Sequence, residues 1–289
     1  MLKYIIYSVL AAVIALSSCG AEKRQEQQET EIVPSDSVFI ASYSFVDTAA
    51  DTLCDPADHL AAFYSKLRRL DPLRFPVSDT ADTTVEEAIR RVNIIQFGDS
   101  HIQGGVIPDV IMRHLHARFG NAGRGMIVTH KLGGSNEPRD YAIRPVSGAC
   151  GEWSCARIIQ GKGASQPIGI TGIAVQSSRA ENKLLLCALP TKDTLDYSFN
   201  KVRIFHGKYA PIIEAPDSLS AGIGTPDIIY DFNTDIDLIS NVDSLELHTY
   251  ADGKFARGPI YGFSLENGRN GILYHAMGVN SACFLHWGK

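Results

Sequence analysis

The segment QFGDSHIQGG, residues 96–105, places a serine among residue types that serve nucleophilic catalysis. A serine hydroxyl is a weak nucleophile at its own pKa, so catalysis requires a base, usually histidine, and N–H donors that stabilise the developing oxyanion. Backbone N–H groups at the start of a helix are suitable donors. Ser100 is therefore the candidate nucleophile, and its own N–H is one candidate donor. Taken alone, the Gly-Asp-Ser triplet would be explained at least as often by a plain turn.

The two neighbours of Ser100, Asp99 and His101, are candidate supporting groups. Adjacent residues seldom align as a nucleophile and its base, so we expect His101 to line the pocket rather than to deprotonate Ser100. Ile102 occupies the last position of the G-x-S-x-G turn that holds the nucleophile in α/β-hydrolases, so that motif is absent at this point.

The elements around this segment are predicted to present Ser100 at the edge of a sheet. Residues 91–97, RVNIIQF, form a compact apolar run that is typical of a strand covered on both faces. Apolar side chains at helical spacing predict helices over 56–70 and 106–120. Ser100 then lies at a strand-to-helix junction, and open α/β sheets bind their ligands at the carboxyl ends of such strands.

From about residue 150 the sequence changes to short β-like runs separated by turns rich in Gly, Pro, Asn and Asp. Regular short strands of this kind favour an all-β sandwich. We therefore predict an α/β domain that is interrupted by an inserted sandwich over residues 150–266. The predicted strands cover residues 168–175, 183–189, 199–205, 227–232, 245–250 and 258–266.

The order of these features resembles the SGNH (GDSL) hydrolase superfamily. The shared features are the strand, GDSH and helix in succession, FGNAGRG at 119–125, and ILYHAMGVNSA at 272–282 after the β-rich region. The similarity covers residues 56–289 and is greatest to exported bacterial members with GDSH in the first block and an inserted β-sandwich. It implies Ser100 as the nucleophile and a flavodoxin-like parallel-sheet core, divided into the segments 51–149 and 267–289.

The resemblance also implies where a second oxyanion donor lies. Gly278 occupies the position of the second-block glycine, whose N–H binds the oxyanion in that family. Alternatively, GVNS at 278–281 is a degenerate third block, with Asn280 as the donor. The second-block assignment is favoured because YHAMGVNSA suits the return from the insertion.

The base of the family is missing from this sequence. In the family it is the histidine of a D-x-x-H block, and no D-x-x-H occurs in the 289 residues. His275 and His286 flank the second block, but a packed or solvent-facing histidine is the favoured interpretation of both. We therefore expect a truncated chain, the N-terminal part of a longer esterase, with the base histidine on a separate C-terminal half.

Residues 1–19 are similar to the signal peptide of a bacterial lipoprotein. Their apolar stretch is shorter than the roughly 20 residues that span a bilayer, and LSSC is similar to a lipobox in which Cys19 becomes lipidated. A plain signal peptide is the alternative, because Ser18 stands where Gly or Ala is commoner. Residues 20–50 are predicted to be a flexible tether, since the stretch after Cys19 is polar and rich in Glu and Gln. We expect an exported lipoprotein of the cell envelope, either in the outer membrane or facing the periplasm.

These features predict a serine ester hydrolase of the SGNH type, acting as an O-acetylesterase on peptidoglycan or another polysaccharide. The alternative is a non-catalytic glycan-binding or vestigial surface lipoprotein. We expect neither a cofactor nor a metal ion, and the formal net charge of −5 disfavours nucleic acid as a partner. Four aromatic residues of the β-rich region are either sugar-stacking or core residues. They are Trp153, Tyr230, Tyr250 and Tyr261.

Overall fold

The computed structural model describes residues 57–71, 90–146, 153–189, 195–223, 232–250 and 258–288. The predicted signal peptide, Cys19 and the predicted tether lie outside these residues. The chain divides into two units, 1–59 and 60–289, and all elements described below belong to the second. Within the described ranges, no helix has the length and apolar character needed to cross a membrane.

Two helices and the first strand lie close to where the sequence predicts them, and a further one-turn helix occupies the predicted strand-to-helix junction. Helix α1 covers Ala61–Leu70, strand β1 covers Arg91–Gly98, helix α2 covers Ser100–Gln103, and helix α3 covers Val106–Phe119. The predictions for β1 and α3 are therefore confirmed to within one residue at each end. Helix α1 starts later than the predicted residue 56, because Asp58 has a φ of 55°, which is not a helical conformation.

Strand β1 pairs in parallel with the last strand, β13 (Gly271–Gly278). The register runs from Arg91 opposite Gly271 to Gly98 opposite Gly278, so the carboxyl ends of both strands meet. One face of this pair packs on α1 and α3 through an apolar cluster that includes Val92, Met112 and Ile272.

The other face of β1 is exposed, whereas the sequence predicts a strand that is covered on both faces. Ile95 is 46% exposed and Phe97 is 45% exposed. Among the described residues β13 is the only strand that pairs with β1, so within them β1 lies at the edge of its sheet. The apolar run RVNIIQF is therefore buried on one face only.

Two antiparallel sheets contain the remaining strands of the described structure. The seven-stranded sheet has the order β4-β5-β12-β7-β10-β9, with β2 also paired to β12, and the four-stranded sheet has the order β3-β6-β11-β8. Two of these strands, β2 and β3, precede residue 150. The bounds are Gly125–Ile127 (β2), Tyr141–Pro145 (β3), Trp153–Arg157 (β4), Ile173–Ser177 (β5), Glu181–Ala188 (β6), Phe199–His206 (β7), Ile212–Glu214 (β8), Ser220–Ile223 (β9), Asn233–Val242 (β10), Ser244–Tyr250 (β11) and Ile260–Glu266 (β12).

The two antiparallel sheets share one apolar core. Leu184 and Leu247 contribute from the four-stranded sheet, and Phe199, Ile204 and Phe263 contribute from the seven-stranded sheet. The predicted strands at 183–189, 199–205, 245–250 and 258–266 are present with shifts of a few residues, whereas 168–175 is extended only from Ile173. The predicted strand 227–232 lies almost wholly outside the described residues. The fold is thus a mixture of α and β structure with parallel and antiparallel sheets.

A buried ion pair joins the segment directly before β2 to the segment directly before β3. The Arg124 side chain, only 2% exposed, pairs with the Asp140 carboxylate, and its guanidinium lies 5.1 Å from the centre of the Tyr141 ring. Removing either partner would leave an uncompensated buried charge and would be strongly destabilising.

Candidate functional site

Ser100 is the first residue of α2, directly after the carboxyl end of β1. The preceding residue, Asp99, caps the helix, because its Oδ1 accepts the His101 N–H at 2.9 Å. Gln103 N–H donates to Asp99 O at 3.0 Å and closes the turn. Ser100 is exposed. The strand-to-helix junction therefore places the hydroxyl-bearing residue at the surface, at the start of a helical turn.

Asp99 and His101 pair with each other rather than with Ser100. The Nδ1–H of His101 donates to Asp99 Oδ1 at 3.0 Å, and both side chains are substantially exposed. Hydrogen bonds from the His101 backbone and side chain lower the pKa of Asp99. The Asp99 carboxylate thus stabilises the turn and orients the imidazole of His101.

Gly278 lies beside the Ser100 turn. It is in register with Gly98, and Val279 N–H donates to Gly98 O at 3.1 Å. A Cβ atom on Gly278 would lie 2.7 Å from Asp99 O and closer still to Gln103 N. Only a glycine allows the end of β13 to approach the helical turn this closely.

Asn280 is held by a residue that the sequence did not single out, Gln103. Asn280 N–H donates to Gln103 Oε1 at 2.8 Å. The Nε2 group of Gln103 donates to Ser135 Oγ at 2.7 Å and to Asn136 O at 2.8 Å. The Asn280 side chain lies at the edge of this network, with Nδ2 3.4 Å from Ser135 Oγ. The backbone N–H of Asn280 is therefore already engaged.

The two histidines that flank the second block have other partners. His275 is buried, accepts the Met126 N–H at Nδ1 (3.0 Å) and donates from Nε2 to Asn93 Oδ1 (3.0 Å). His286, in the short helix α4 (Phe284–Trp287), accepts the Cys283 N–H at Nδ1 (2.9 Å). Within the described residues, no hydrogen bond connects a histidine to Ser100. His275 is the packed histidine that the sequence favours.

Helix α4 closes one side of the carboxyl end of β1. Trp287 donates from Nε1 to Gly98 O at 3.3 Å, and its ring centre lies 4.8 Å from that of Phe97. Sequence patterns gave no indication of this contact, because four residues are too few for a helical period.

The aromatic residues of the β-rich region have different environments. Trp153 is buried in the shared core, which matches the core interpretation rather than sugar stacking. Tyr250 is partly buried and donates from its hydroxyl to Glu214 Oε1 at 2.7 Å, Tyr261 is half-buried, and Tyr230 lies outside the described residues. No cluster of three or more potential metal ligands occurs in the parts of the chain that the structure describes.

Because three histidines are buried, we expect the free energy of unfolding to decrease in acid. Burial lowers the pKa of His116 and His275 to about 4 and that of His130 to about 3. From the unfolded value of 6.5 downwards, the unfolded chain binds protons that the folded protein does not. The free energy of unfolding should therefore fall as the pH drops through this range, by up to about 1.4 kcal/mol per pH unit for each histidine.

Urea unfolding between pH 7 and pH 4.5 measures the slope of the free energy of unfolding against pH. His275→Gln should reduce this slope by the contribution of one histidine. Glutamine is uncharged at every pH in this range, so it removes the titration while keeping hydrogen-bonding capacity. An identical pH slope in the variant and the wild type would contradict the role of His275.

No protein-family model matches this chain, and no curated protein matches it. A solved structure described as "Peptidoglycan O-acetylesterase in action, 5 min" is similar to it, with 18% sequence identity and a TM-score of 0.44. The similarity covers 68% of this chain and 49% of that chain. The chain thus spans about half the length of this solved structure.

Proposed function

We propose that this protein is a serine ester hydrolase that removes acyl groups, acetyl in particular, from a glycan such as peptidoglycan. The observation that carries the proposal is the position of Ser100: an exposed serine at the first turn of a helix, at the carboxyl end of a parallel strand, with Gly278 alongside. The helix start offers N–H groups to a developing negative charge.

The proposed reaction has two steps. Ser100 Oγ attacks the ester carbonyl carbon, a bond from Oγ to carbon forms, and the bond from carbon to the sugar oxygen breaks as the sugar hydroxyl leaves with a proton. Water then hydrolyses the acyl-serine and releases the acid. The N–H groups of Ser100 and Gly278 are the proposed donors to the oxyanion.

We propose that the histidine that accepts the Ser100 proton is supplied by a separate polypeptide. The described histidines with resolved contacts near this site are engaged elsewhere: His101 with Asp99, His275 with Asn93, and His286 with Cys283. The location proposed for the protein is the cell envelope, where the lipid on Cys19 anchors it to the membrane and residues 20–50 tether it. There it would meet acylated glycan.

A covalent serine probe tests the proposal directly. A fluorophosphonate should phosphonylate Ser100, forming a P–O bond as the P–F bond breaks, and mass spectrometry of the peptides identifies the residue. Because no histidine is hydrogen-bonded to Ser100 among the described residues, added imidazole should accelerate the labelling of Ser100 by taking the proton. The urea-unfolded protein is the control and should remain unlabelled at Ser100.

Labelling of other serines in equal yield would contradict the proposed esterase function. So would the absence of labelling at Ser100 with imidazole present. The second candidate function is a non-catalytic glycan-binding or vestigial surface protein, favoured by the lack of a hydrogen bond from Ser100 to a histidine in the described residues. If the protein only binds glycan, it should sediment with insoluble peptidoglycan although the probe does not label Ser100.

A further inference from the structure

The side-chain amide of Gln103 is buried, and its oxygen and its NH2 group are hydrogen-bonded. The residue is only 3% exposed, although it belongs to a one-turn helix at the surface. A carboxamide offers an acceptor oxygen and two N–H donors. Here the oxygen accepts the Asn280 N–H, and the nitrogen donates to Ser135 Oγ and Asn136 O, all within 2.7–2.8 Å.

These bonds connect three separate segments at the Ser100 turn. They are α2 itself, the loop 278–280 after β13, and the loop at 135–136. Hydrogen bonds fix two successive N–H groups after Gly278, since Val279 N–H donates to Gly98 O and Asn280 N–H donates to Gln103 Oε1. The close approach of Gly278 to Gln103 N sets the distance between the segments, and the amide of Gln103 sets the direction of the loop.

We propose that Gln103 is a positioning residue of the Ser100 site, which holds the backbone of loop 278–280 in the orientation that binds the oxyanion. This inference rests on the proposed esterase function. Gln103 acts through the loop and does not touch the substrate. Oxyanion donors are effective because they are oriented before the reaction begins, so a loosened loop should lower kcat more than it raises KM.

Two variants of one residue separate positioning from general stability. Gln103→Met preserves the length of the side chain but removes all three hydrogen bonds. Gln103→Glu keeps an acceptor for Asn280 N–H and, with its carboxyl protonated because a buried charge is costly, offers one O–H donor in place of two N–H donors. With p-nitrophenyl acetate and imidazole, Gln103→Met should lower kcat at least about tenfold with less than a threefold change in KM, and Gln103→Glu should recover part of that loss.

Gln166→Met is the matched control. Gln166 is a partly buried glutamine whose Nε2 donates to Ala174 O at 2.9 Å, and among the described residues it has no hydrogen bond to α2, to loop 278–280 or to the loop at 135–136. Its replacement removes a similar side-chain-to-backbone hydrogen bond and should leave kcat unchanged. Amide hydrogen exchange at Asn280, measured by NMR, should become faster in Gln103→Met and remain at the wild-type rate in Gln166→Met.

The outcomes distinguish this inference from the function on which it rests. If wild-type protein and Ser100→Ala hydrolyse the ester equally fast, the esterase and the role of Gln103 both fail. If the wild type is active through Ser100 but Gln103→Met retains its kcat, or leaves Asn280 exchange unchanged, the positioning role alone is overturned.

Discussion

Ser100→Ala is expected to abolish the protein-dependent part of the imidazole-supported hydrolysis of p-nitrophenyl acetate, that is, the rate above that of imidazole alone. The hydroxyl is the atom that forms the acyl bond, so no other group of the turn can substitute for it. Alanine is tolerated at the start of a helix, and Ser100 is exposed, so the free energy of unfolding should change little. The expected result is therefore a loss of rate without a loss of fold.

The control for this prediction is Ser244→Ala, which removes the hydroxyl of another exposed serine, at the start of β11. It should leave the rate unchanged. Because imidazole itself hydrolyses the ester, the rate with Ser100→Ala should equal the rate with imidazole alone. A Ser100→Ala protein as active as the wild type would refute the assignment of the nucleophile.

Gly278→Ala is expected to destabilise the protein by about 1–3 kcal/mol, the usual range for overpacking, and to abolish most of the esterase rate. The added methyl group would meet main-chain atoms, Asp99 O and Gln103 N, and main chain cannot rotate away as a side chain can. Relief requires the end of β13 and α2 to separate, which displaces Gly278 from the Ser100 turn. For a unit of this size, the melting temperature should fall by about 2–4 °C per kcal/mol.

Gly163→Ala provides the matched substitution for the steric argument. A Cβ atom there would have no neighbour within 4 Å, so thermal unfolding and ester hydrolysis should both match the wild type. If Gly278→Ala melts at the wild-type temperature, the close contact between the end of β13 and the Ser100 turn is wrong, and the proposed oxyanion donor loses its support.

The local part of the site could be predicted from residues that are neighbours in sequence. The apolar run before Gly98 and the helical spacing after Gly105 define a strand and a helix, and Ser100 must then lie between them. The position of Gly278 came from a resemblance rather than from spacing. The structure places it in register with Gly98, 180 residues earlier in the chain.

Sequence by itself determined the strand before Ser100 and the helix after Gly105, because β and helical periodicity depend on side chains only a few residues apart. Tertiary structure alone decided the roles of Gln103 and His275. Their hydrogen bonds reach Asn280 and Asn93, which are 177 and 182 residues away. It also decided that β1 is buried on one face only. Such pairings depend on which strands become neighbours, and a pattern of local residue types does not record that choice.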